Sequence, residues 1–249
     1  LNTRLLQLTA WEALLLVALL VALLAGLGAP PAHAQQTVLN VPSADVLDRG
    51  KTYMEWDATV GDTSPSAAVT PRSVNGLGHG VEAGINLSSL NLPHGGEVVM
   101  DPTVKWKFFE SADRSLVLFG GEQVYLPFKR TTYRIGNYGY LEGAKTFRSG
   151  TRVGVGAYDF TAQVIDPANR GGVQASIEQT VNARLSLAVD WYSGDTSIGY
   201  KNVGGSWKLT NSLTLMGAYE LGNRGVMQGN HSILLEFGWN PEFKHGGKA

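Results

Sequence analysis

Along most of this chain apolar and polar residues alternate one for one, and that period suits a β-strand with two unlike faces and little else. In 184–192, Leu185, Leu187, Val189 and Trp191 share one face, while Arg184, Ser186, Ala188, Asp190 and Tyr192 share the other. In 212–221, Leu213, Leu215, Gly217, Tyr219 and Leu221 oppose Ser212, Thr214, Met216, Ala218 and Glu220. Near the end, Ile233, Leu235, Phe237 and Trp239 oppose Ser232, Leu234, Glu236 and Gly238. Val104, Trp106 and Phe108 oppose Lys105 and Lys107 in the same way. Twelve segments read as strands: 51–61, 67–75, 80–89, 99–109, 114–126, 132–146, 151–160, 171–180, 184–193, 198–209, 212–221 and 230–240. The second is the weakest, because Pro71 interrupts it and proline belongs at sheet edges or bulges. Single-chain bacterial barrels have even strand numbers, which favours twelve within a range of ten to twelve. Alternate connections also differ in length, as short turns on one side of a barrel and longer loops on the other require. The fold expected is therefore all-β, a closed antiparallel transmembrane β-barrel spanning 51–243.

The first 34 residues have a different character. Arg4 precedes a Leu/Ala/Val run from Ala13 to Leu27, followed by Pro30-Pro31 and Ala32-His33-Ala34. A basic start, a short apolar core and an A-x-A site read as a secretory signal peptide, 1–34, cut after Ala34. The apolar run is shorter than the ~20 residues of a spanning helix. About 215 residues then remain, enough for one large β domain. Residues 35–50 read as a periplasmic lead-in to the barrel and 244–249 as a tail. The chain has no cysteine, so neither a disulfide framework nor a lipid-anchored cysteine is available. A net charge of −1 gives no electrostatic case for binding nucleic acid. Glycine, at 31 of 249 residues, exceeds the ~7% norm.

Alternation alone does not say which face is inside. The tryptophans give a direction. Trp56, Trp106, Trp191, Trp207 and Trp239 all share the parity of the apolar face, and aromatic girdles at the two membrane interfaces demand that arrangement. With that side outward, the lumen would carry Glu55, Asp57, Glu82, Lys105, Lys107, Arg134, Glu142, Arg152, Glu178, Arg184, Asp190, Lys208, Glu220 and Glu236. These mixed charges either pair and fill the lumen or line a narrow aqueous path. Twelve strands lie between the ~8 whose interior side chains fill and the 16–18 of open porins, so size does not decide. A soluble, lipocalin-like barrel with the faces reversed is the third option.

No catalytic or metal-ligand constellation emerges, and no cofactor is implied. His79, His94, His231 and His245 are scattered among connections and the tail, without ligand spacing. His231 and Ser232 are adjacent, so on a strand they point to opposite faces and cannot pair as base and nucleophile. Gly76-Leu77-Gly78-His79-Gly80 precedes a strand where a phosphate-binding loop needs a helix, so it reads as a turn.

Glu236-Phe237-Gly238 followed by Phe243 is similar to the C-terminal signal that barrel assembly machinery reads, with Pro241 and the overhang as departures. Ala44-Asp45-Val46-Leu47-Asp48-Arg49-Gly50-Lys51, running into Tyr53-Met54-Glu55-Trp56-Asp57, resembles the opening of outer-membrane porin or transporter proteins of Gram-negative bacteria. Thr70-Pro71-Arg72 with 76–84 resembles the next hairpin of that family. The resemblance implies a fold and an outer-membrane location more than a substrate. The expected partners are outer-membrane lipid and lipopolysaccharide, the assembly machinery, and small solutes. A passive channel or small-solute transporter is expected first and a non-conducting structural or surface-binding barrel second; an enzyme is not expected.

Overall fold

The computed structural model describes residues 36–61, 67–88, 90–92, 98–128, 135–161, 170–196, 198–224 and 231–241. The expected leader and the 244–249 tail fall outside these, as do His94, Arg134, Phe243 and His245. Thirteen strands are described: β1 (Thr52–Gly61), β2 (Ala67–Gly78), β3 (Val81–Ser88), β4 (Leu90–Leu92), β5 (Val99–Glu110), β6 (Leu116–Pro127), β7 (Gly136–Thr146), β8 (Thr151–Phe160), β9 (Gly171–Thr180), β10 (Leu185–Tyr192), β11 (Tyr200–Lys208), β12 (Leu213–Gly222) and β13 (Ser232–Trp239). β3 and β4 are two pieces of one stave, both paired to β2. Every neighbouring pair is antiparallel, and β1 pairs with both β2 and β13, closing a barrel of twelve staves.

Two prolines sit inside paired strands without breaking the barrel. Pro71 pairs with Trp56 on the β1 side; on the other side pairing lapses between Arg72–Asn86 and Val69–Leu90. The donor that proline lacks falls at that gap, where β3 gives way to β4. Pro102 is paired with Ile85, and its other side meets a similar lapse between Met100–Leu126 and Thr103–Gln123. A bulge between Lys107 and Phe109 shifts the register at the end of β5 and leaves both Phe108 and Phe109 exposed.

The connections divide the barrel into two ends. The β2–β3, β5–β6, β7–β8, β9–β10 and β11–β12 turns lie at one end, here the turn end, together with the start of β1. His79 and Gly80 take positive φ in the first of these turns, flanked by Gly78. The opposite loop end carries the longer connections, most of them outside the described residues.

The faces have the polarity of a membrane barrel. The five tryptophans among the described residues point outward, Trp106 being 55% and Trp207 53% exposed, and Ile85, Leu141, Val155, Ile233 and Leu235 share that surface. Glu55, Glu82, Glu142, Gln174, Asp190, Asn202 and Glu236 are buried inside. A soluble barrel would have the reverse, so the lipocalin-like option is excluded by this surface.

Inward glycines make room for inward tyrosines. A side chain at Gly238 would strike the ring of Tyr53, one at Gly121 that of Tyr140, and one at Gly172 that of Tyr158. Part of the glycine excess is thus steric, because a large ring lying across the wall needs a bare position beneath it.

Candidate functional site

Residues 36–47, the greater part of the expected lead-in, fold into the lumen of the barrel. Val38 N–H donates to Val41 O (2.8 Å) and Ser43 N–H to Gln36 O (3.1 Å), making a small hairpin with Thr37 bridged to Pro42. Burial of apolar side chains holds it there. Val38 and Leu39 pack with Ala188, Met216, Ala218 and Leu234. Val41 packs among Tyr138, Tyr158, Phe160 and Tyr192. Further along, Ala44 joins Val117, Phe119 and Ala144, and Leu47 joins Tyr53 and Val74. Gly76 permits the close passage of the chain, since a side chain there would collide with the carbonyls of Leu47 and Asp48.

The hairpin tip rests on one carboxylate. Asp190 Oδ2 accepts the backbone N–H groups of Leu39 (3.1 Å), Asn40 (2.6 Å) and Val41 (2.7 Å). Asn202 Nδ2 donates to the other oxygen at 2.6 Å and fixes the carboxylate's orientation. Three N–H groups converging on one oxygen satisfy a backbone turn that the lumen would otherwise desolvate.

Other wall residues hold the rest. Asn40 Nδ2 donates to Glu220 Oε1 (2.6 Å), and Ser232 Oγ donates to the other oxygen of Glu220. Lys105 Nζ donates to Ser43 O (3.2 Å) and pairs with Glu82 at 3.0 Å; Glu82 Oε2 in turn accepts the N–H of Leu47 (2.8 Å). Arg152 pairs with Asp45 at 2.9 Å and lies 3.7 Å from Glu178.

The candidates named from sequence therefore separate into groups. Glu82, Lys105, Arg152, Asp190 and Glu220 bind the N-terminal segment directly, with Glu178 behind Arg152. Glu142 accepts Gln174 Nε2 at 2.6 Å in the lumen wall. Glu55, Asp57 and Glu236 gather at the seam between β1 and β13 with Arg72, whose Nε is 2.6 Å from Asp57 Oδ2. Lys107 pairs with Glu110 near the turn end at 3.1 Å, and Lys208 is half-buried at the end of β11. Arg184 lies in the exposed β9–β10 turn, at the rim. Trp106, Trp207 and Trp239 lie toward the turn end and Trp191 at the loop end, whereas Trp56 is midway along β1 against Phe237.

Sequence reasoning missed Asn40, Asp45, Arg72 and Asn202, and with them the hairpin. The one signal for it is the apolar content of Val38, Leu39 and Val41, which a segment in water has no reason to carry. His231 faces the ring of Tyr219, while Ser232 turns inward to Glu220, so the two do not meet as base and nucleophile.

The hairpin divides the lumen. On one side is a cavity of about 240 Å³, bounded by Asn40, Arg72, Glu122, Tyr125, Tyr138 and Tyr200. On the other, toward the turn end, is a vestibule of about 580 Å³ bounded by Asp45, Lys51, Lys107, Arg114 and Arg152. The first has a polar and aromatic wall, the second a largely charged and polar one.

No protein-family model matches the chain, and no curated protein matches its sequence. Solved structures do match its shape. A NanC porin superposes with a TM-score of 0.53 at 8% identity, covering 76% of this chain and 100% of that one. The KdgM porin superposes at 0.54 with 11% identity, covering 77% and 99%. An outer-membrane channel from Pseudomonas putida F1 superposes at 0.50 with 12% identity, covering 80% and 98%. The chain has the fold of outer-membrane porins and channels. With its apolar face turned outward, it has the surface of a β-barrel that spans a membrane. These porins and this barrel share architecture at identities too low to carry a substrate across.

Proposed function

We propose that this barrel is an outer-membrane channel for small polar solutes, whose path is closed at rest by its own N-terminal hairpin. The carrying observation is the hairpin at Asp190 between two polar cavities. Besides its apolar contacts, the hairpin is latched by hydrogen bonds and ion pairs, which water in a lumen can replace, and not by a covalent bond. Passage then requires the hairpin to leave the carboxylate. Cations and anions both face the cavities, so the reading favours neutral or zwitterionic solutes over strong ion selectivity.

On the outside, Trp106, Trp207 and Trp239 with Phe108, Phe109 and Phe147 form the girdle at the turn end, and Trp191 marks the other interface. Lipid and lipopolysaccharide are the partners of this surface, and the assembly machinery reads the last strand.

Planar-bilayer recording tests the channel. The mature chain should give small, interrupted currents. Absence of current across repeated reconstitutions, from both the parent and a variant lacking residues 36–47, would reject it. That outcome would leave a non-conducting barrel, the second reading, which draws on the number of anchors holding the hairpin.

A further inference from the structure

The seam where the barrel closes holds a charge imbalance that the channel reading does not use. Glu55 and Asp57 are successive inward residues of β1, and Glu236 is the inward residue of β13 paired with Asp57. All three are buried, at 0%, 4% and 2% exposure. One oxygen from each lies within 4.8 Å of the others. The nearby cation is Arg72, on β2, which touches Asp57 through Nε at 2.6 Å and approaches Glu55 Oε1 at 3.6 Å. Tyr53 Oη donates to Glu55 Oε2 at 2.7 Å.

Among the described residues this leaves Asp57 Oδ1 and Glu236 Oε2 buried with no hydrogen-bond donor, and Glu55 Oε1 with only the long approach of Arg72. Uncompensated buried carboxylates are costly, and three of them face one guanidinium. The formal excess is two negative charges. The donors are all oxygens, with no nitrogen or sulfur ligand among them, which suits a hard cation. Ca²⁺ binds oxygens at about 2.3–2.6 Å in flexible geometry, and a ring of oxygens with this mutual spacing can surround it. Arg72 covers one edge of Asp57 and itself borders the 240 Å³ cavity.

We propose that Glu55, Asp57 and Glu236 form a divalent-cation site, for Ca²⁺ in preference to Mg²⁺, which fastens the first strand of the barrel to the last. Mg²⁺ demands near-ideal octahedral geometry and gives up its waters reluctantly, which a buried cluster beside a guanidinium does not favour. The site is separate from the hairpin latch, so it can stand or fall without the channel.

The test uses the refolded barrel in detergent, free of lipopolysaccharide and stripped with EDTA. Terbium(III) substitutes for Ca²⁺, and Tyr53 sits close enough to sensitise its luminescence. The parent should show a saturable signal that Ca²⁺ displaces, and Ca²⁺ should raise the temperature at which its gel mobility shifts on heating. Glu236→Gln, matched in size, should weaken binding by about tenfold or more, because a ligand charge is lost. Asp57→Asn and Glu55→Gln provide the same comparison should that variant fail to fold, as judged by heat-modifiable mobility. No Ca²⁺-displaceable terbium signal in the folded parent, or folded variants that titrate like the parent, would overturn the site and leave protons as the neutralising partners.

Discussion

Asp190 is where one side chain has the greatest leverage on the whole. A single buried oxygen receives three backbone N–H groups from the hairpin, and Asn202 holds the carboxylate in place. Asp190→Ala leaves those donors buried and unpaired, at about 1–3 kcal/mol for each that water does not reach. The expected outcome is a hairpin released more often from the lumen rather than a barrel that fails to form, because the wall pairing of β10 with β9 and β11 is backbone to backbone. In bilayers the variant should conduct in longer openings than the parent, while its heat-modifiable mobility persists. A variant whose openings are no longer than the parent's would show that Asp190 is not the latch. The sequence displays Asp190 as one inward charge among fourteen. Its role depends on partners about 150 positions away, which no local pattern carries.

At the level of the element, the strands were legible because each lies between two unlike environments. Lipid outside and a polar lumen inside impose alternation on every stave, and all twelve expected segments fall on observed staves. Pro71 weakened the reading of the second strand. The structure resolves it through the break between β3 and β4, which places the missing donor at a gap, a matter of pairing that one strand alone does not reveal. The outward face makes a graded prediction. Replacing Val155, at the middle of β8, by Arg should cost about 2–4 kcal/mol of stability in a lipid bilayer, against about 0–1 for Leu116→Arg at the start of β6. Denaturant unfolding from liposomes measures both. Equal costs at the two depths would contradict the orientation of the barrel in the membrane.

At the level of the whole molecule, two features arise only on closure. The carboxylate cluster exists because β1 meets β13, bringing Asp57 opposite Glu236. The hairpin is buried because a closed wall gives Val38, Leu39 and Val41 an interior to enter. Neither was legible beforehand, since the residues that matter share a place and not a stretch of chain. The central claim is that this hairpin occupies the lumen and governs passage. A chain without cysteine offers a clean test. Ala44, on the N-terminal segment, and Ala144, on the wall, pack in one buried cluster, and the pair Ala44→Cys and Ala144→Cys ties one to the other. The decisive measurement is the bilayer conductance of that variant, oxidised and then reduced in the same preparation. The account predicts cross-linking within the folded barrel, no openings while oxidised, and openings like the parent's after reduction. Openings that persist with the cross-link intact, or cysteines that never join, would contradict it.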